Sequence, residues 1–154
     1  MRIQGQYAFG KASVEEVWNA LNRPEVIAKA LPGCERFDII EEGMYSAVIV
    51  MGISVIKGRY NVNIAISDSQ RPSSFVLNIS AEGSVGFLRI HAPISIKGLD
   101  DGSGALVDWE AEGEVGGLIA GVGNRILAGV AKRLVEQFFK SVESQIMLAG
   151  SAQT

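Results

Sequence analysis

Cysteine and histidine are nearly absent from this chain of 154 residues, each occurring once, as Cys34 and His91. A single thiol excludes an internal disulfide and any CxxC redox or metal motif. A single imidazole leaves a zinc site without its usual ligand set, so no metal is expected. Charge is scarce as well: 14 basic residues stand against 17 acidic ones, for a net charge of -3. These charges are dispersed, with no basic stripe to follow a phosphate backbone, and nucleic acid is not an expected partner. Long apolar runs are also missing. The most apolar stretch, residues 115–131, is interrupted by Asn124 and Arg125 and closed by Lys132 and Arg133. It falls short of the roughly 20 residues with few charges that a membrane-spanning helix needs. Residues 1–7 alternate instead of forming the apolar core of a secretory signal, which with the lone cysteine makes a cytoplasmic location the expectation.

What the chain does contain is regular. With 47% hydrophobic residues it is long enough for one domain with its own core, expected over residues 1–148 with a flexible tail over 149–154. Residues 2–9 put Ile3, Gly5, Tyr7 and Phe9 on one face of a strand. Ser13 and Glu16 form a capping box ahead of a helix carrying Val14, Val17, Trp18 and Leu21, and a second short helix starts at Pro24 and stops at Leu31-Pro32-Gly33. Six strands then follow, at 35–41, 44–51, 55–67, 74–81, 85–97 and 104–114, each alternating apolar with polar residues. That period marks an antiparallel sheet with one face buried and one wet. From about Val115 to Met147 the spacing predicts a single long amphipathic helix, with Leu118, Val122, Ile126, Val130, Leu134, Phe138 and Val142 in one apolar row. Arg125, Lys132, Glu136, Lys140 and Glu143 fall on its polar side. The order of elements gives an α+β fold, a seven-stranded antiparallel curved sheet wrapped around a long carboxy-terminal helix, with two short helices after the first strand.

Catalytic residues are not expected, and neither is an enzyme. Alternation places His91 on the wet face beside Arg89, Cys34 has no neighbouring base, and Asp100-Asp101-Gly102 has the composition of a turn. The glycines at 116, 117, 121 and 123 lack the lysine and serine or threonine of a phosphate loop. They serve either close helix packing or room for a ligand.

The element order resembles the helix-grip superfamily that includes START domains, the birch pollen allergen group and polyketide cyclases. Within it, Pro24-Glu25-Val26, Leu31-Pro32-Gly33-Cys34-Glu35, Gly52, Lys57-Gly58, Val115 to Ala120, Gly123 to Ile126 and Gln137-Phe138-Phe139 are similar to the CoxG family of carbon monoxide dehydrogenase subunits. That resemblance implies a non-catalytic accessory protein found beside molybdenum hydroxylases of the carbon monoxide dehydrogenase type and involved in their attachment to the membrane, which makes a peripheral contact at its cytoplasmic face an expectation. It also implies a cavity between sheet and helix for an apolar molecule, a lipid or a membrane quinone, and no cofactor. The expected lining consists of Tyr7, Met51, Tyr60, Val62, Phe75, Leu77, Phe87, Trp109 and Ile126, with Leu31, Pro32, Gly33, Leu118, Ile119 and Val122 at the mouth. Tyr7 and Tyr60 are the expected hydrogen-bond donors to a carbonyl or headgroup. A cyclase-like or hydrolase-like enzyme and a docking adapter without ligand are the alternatives. The sequence leaves the oligomeric state open.

Overall fold

Strand β1 (Arg2–Phe9) begins the chain, and two short helices separate it from the remaining strands. The computed structural model describes residues 1–53 and 56–152, with residues 151 and 152 described by backbone alone. Helix α1 (Val14–Leu21) starts where the Ser13 hydroxyl accepts from the Glu16 amide and the Glu16 carboxylate accepts from the Ser13 amide, both at 3.1 Å. This reciprocal cap satisfies two of the amides that a helix start leaves free. Helix α2 (Pro24–Ala30) opens on a proline, tolerated there because that position has no helical partner for its amide.

The six strands that follow are β2 (Cys34–Glu41), β3 (Met44–Met51), β4 (Gly58–Gln70), β5 (Ser74–Gly83), β6 (Gly86–Gly98) and β7 (Ala105–Gly116). All seven form one sheet in the order β1-β7-β6-β5-β4-β3-β2, with every pairing antiparallel. The expected strand over 55–67 begins at Gly58 and runs on to Gln70; part of its expected start lies outside the described residues. The loop Leu31-Pro32-Gly33 ties α2 to β3, because the Gly33 carbonyl accepts from the Val50 amide at 2.8 Å. Gly33 sits at φ +75°, and a Cβ there would collide with the Val50 carbonyl oxygen, so glycine is required on both counts.

The carboxy-terminal segment departs from the expected single helix. Residues 115 and 116 finish β7, Leu118–Val122 form a short 3-10 turn, and helix α3 spans Asn124–Ala152. Gly117 and Gly123 bracket the turn at φ +78° and +100°, which takes the chain out of helical geometry twice. Apolar periodicity across residues 115–123 gives no sign of those two reversals. The same helix continues four residues past the expected domain end at 148. At 29 residues it is still about 44 Å long, and it packs against α1, α2 and β1. Among the described residues no helix is long and apolar enough to cross a membrane.

Candidate apolar site between sheet and long helix

One face of the sheet is apolar from strand to strand, because alternate residues of each strand point to the same side. Pairing sets Phe75, Leu77, Ile79 and Ala81 of β5 beside Ile94, Ala92, Ile90 and Leu88 of β6. Burial along this face is uneven. One buried cluster joins Phe9, Phe75, Ile94, Val107 and Trp109 to α1 and to Phe139 and Val142 of α3. A second joins Tyr45, Ile49, Tyr60, Val62 and Ile64 to Ile27 of α2. Ile66, Leu77 and Phe138 pack against both clusters yet are only half-buried. Ile79, Ala81, Leu88, Ile90 and Val115 also point inward and stay half-buried. On the helix side, the small residues Ala128 and Ala131 and the branched Val135 are half-buried as well. Among the described residues no charged residue and no amide, imidazole or aliphatic hydroxyl side chain is buried.

The expected lining residues divide among several environments. Val62, Phe75, Tyr60 and Trp109 are buried in the two clusters, while Tyr7, Leu31, Met51 and Leu77 are half-buried at their margins. Phe87 is a correction. It shares the outer face with Arg89, whose guanidinium carbon lies 4.9 Å from its ring centroid, and its ring occupies the space left by the missing side chain of Gly116. The strand period sets it on the side opposite Leu88, so it cannot face α3. Leu118 and Ile126 are exposed, at 78% and 52%. Ile119 is buried beside Gly86, and its amide donates to the Val85 carbonyl at 2.9 Å, which fastens the 3-10 turn to the β5–β6 hairpin.

Both tyrosines expected to donate to a ligand donate to the protein instead. The Tyr60 hydroxyl gives its proton to the Ile56 carbonyl at 2.8 Å, and the Tyr7 hydroxyl to Glu143 at 2.8 Å. Helical period alone puts Glu143 on the solvent side of the long helix; the structure turns its carboxylate toward β1, and no sequence signal links two residues so far apart. Burial is the main reason that Tyr7 is pushed up to about 12, with the bond to Glu143 and the charges of Glu143 and Glu136 adding to it. Burial raises Tyr60, Tyr45 and Cys34 as well. A phenol that stays neutral in the fold but ionises in the unfolded chain stabilises the fold fully below about pH 10 and loses that contribution as pH rises toward 12. Urea melts between pH 9 and 11.5 are expected to show stability falling with pH in wild type and falling less steeply in Tyr7→Phe. Equal slopes would mean that Tyr7 ionises freely in the fold.

The remaining polar candidates stand apart from this seam. His91 is exposed on the outer face, with Nδ1 2.9 Å from the Asn78 side-chain oxygen. The Cys34 thiol donates to the Arg36 carbonyl at 3.4 Å. Asp101 accepts from the Ser103 amide and hydroxyl at 2.9 and 2.6 Å, bonds that lower its pKa and mark it as a turn former. Two open troughs, of about 870 and 890 Å³, cross the outer side of the sheet, one along Asn63, Asn78 and His91 and the other along Gln6, Ser95 and Asp108. They lie on the side of the sheet away from α3.

A curved antiparallel sheet of seven strands held around one carboxy-terminal helix, with two short helices after the first strand, defines a START-like helix-grip protein. The sequence pattern of the carbon monoxide dehydrogenase subunit CoxG matches residues 10–147, and the chain belongs to that family. A conserved protein from Geobacillus kaustophilus has the same fold with a TM-score of 0.91 and 32% identity, over 97% of both chains. A START superfamily protein from Mycobacterium smegmatis superposes with a TM-score of 0.72 at 13% identity, over 96% of this chain and 98% of its own. A third structure, of a protein from Thermus thermophilus, gives 0.70 at 15% identity, over 97% of this chain and 99% of its own. No curated protein matches the sequence.

Proposed function

We propose that this protein is a non-catalytic accessory subunit that holds an apolar molecule, a lipid or a membrane quinone, between its sheet and α3, in the service of a carbon monoxide dehydrogenase-type complex at a membrane. The observation that carries this reading is the band of inward-pointing yet half-buried residues, Ile79, Ala81, Leu88, Ile90 and Val115. A well-packed interior covers such side chains completely, so their residual accessibility supports a seam that α3 does not fill. The absence of buried polar residues among those described favours a guest held by apolar contact rather than by directed hydrogen bonds. The two tyrosine hydroxyls keep only their acceptor capacity for such a guest.

Membrane attachment draws support from the 3-10 turn and the start of α3. Leu118 and Ile126 are exposed, and the stretch 115–135 carries Arg125, Lys132 and Arg133 with no acid. An apolar rim among cations suits the interface of an anionic bilayer. The direct test is organic extraction of the purified protein followed by mass spectrometry, with titration of added menaquinone or ubiquinone. About one equivalent of an isoprenoid or acyl compound is expected. An empty extract together with no uptake of either quinone leaves only the adapter role.

A further inference from the structure

We infer that β2 is a dimerisation edge, pairing antiparallel with the β2 strand of a second copy about a two-fold axis at Phe37. The sheet ends in β1 on one side and β2 on the other. Helix α3 packs along β1, while β2 touches the short helix α2 and has β3 as its only neighbouring strand. A free edge is a row of unsatisfied amides and carbonyls, and edges that stay single are blunted with charged side chains, lysine above all, with proline, with bulges or with a covering element. In β2 the irregular positions lie at Cys34/Arg36 and Ile39/Glu41 and leave the stretch between them regular. Strand β2 contains neither lysine nor proline. Instead it exposes Ile39 at 61% and Ile40 at 62%, one on each face.

The chain's own charges select the occupant and the register. Within β2 the pairing to β3 is regular from Arg36 to Ile39, and register shifts bracket this stretch at Cys34/Arg36 and Ile39/Glu41. The regular stretch is the part of the edge straight enough to accept a strand. If Phe37 faces the partner's Phe37, each Arg36 stands opposite the partner's Asp38, so that both charged pairs across the axis are attractive. The same register sets Ile39 opposite the partner's Glu35 and diagonal to the partner's Phe37, whose ring is within reach of its side chain. Arg36 and Asp38 already bond within one chain at 2.8 Å, and in the dimer the two such pairs form a ring of alternating charge. A contact of this length is small, so the dimer is reversible and concentration-dependent.

Sedimentation equilibrium on the full chain tests this. Wild type is expected to rise with concentration from 16.4 kDa toward twice that mass. Arg36→Asp and Asp38→Arg each place like charges opposite one another, and each is expected to stay monomeric. Mixed in equal amounts they restore both attractive pairs and are expected to form a heterodimer. The Arg36 side chain is 72% exposed and that of Asp38 47%, and neither is buried in the core, so the variants keep the fold, which circular dichroism verifies. Three results overturn the inference: a wild type that stays monomeric up to about 1 mM, the range of the weakest specific contacts; a dimer indifferent to either substitution; or single variants that do not associate when mixed.

Discussion

Phe139→Ala is expected to cost about 3–5 kcal/mol, the range found when a buried phenyl ring is removed. Phe139 is 3% exposed and stands at the centre of an aromatic group, with ring centroids 5.4 Å from Tyr7, 6.1 Å from Phe9 and 5.6 Å from Phe138. It is the point where α3 meets β1, so the loss combines transfer of a large apolar surface with pairing geometry worth about 0.5–1.5 kcal/mol per contact. Against a total stability of about 5–15 kcal/mol this is a large fraction. Calorimetry is expected to show a fall in Tm on the order of 10 °C. Leu148→Ala, at a position 67% exposed on α3, serves as the control, with a change within about 0.5 kcal/mol. A cost below about 1 kcal/mol at Phe139, the typical effect of an ordinary substitution, would mean that α3 is not anchored through this group.

Leu88→Trp is expected to separate stability from cargo. Leu88 points inward, is half-buried and stands between Ala81 of β5 and Val115 of β7. If the seam holds a guest, the larger indole occupies the guest's space. Quinone or lipid retention then falls by about tenfold or more, roughly 1.4 kcal/mol, while chemical denaturation changes little. In a seam already filled by side chains the same substitution forces overpacking and costs about 1–3 kcal/mol, with no ligand effect to lose. Denaturation curves and ligand titration on one preparation distinguish the two outcomes.

Much of the molecule is legible because its local rules agree with one another. The alternation of β1 and of β4 to β7 fixes which residues face α3, and the capping box at Ser13 fixes the start of α1. Legibility ends at two kinds of position. One is residues 115–123, where apolar spacing suits a helix but Gly117 and Gly123 adopt positive φ; glycine permits that conformation without announcing it. The other is partnership at a distance. Tyr7 and Glu143 are 136 positions apart, and the sequence holds nothing to show that the phenol spends its proton on that carboxylate. Phe87 is a different matter, since its side of β6 follows from the strand period and its outward position is readable from alternation alone.

By itself the sequence determined the α+β class, the antiparallel character of the sheet and the apolar character of the inner face, because hydrophobic period and turn chemistry act over a few residues and need no distant partner. Only the tertiary structure decided how completely that face is covered. Burial depends on where α3 lies against the curved sheet, and that follows from packing against α1, α2 and β1 rather than from any property of the inward residues themselves.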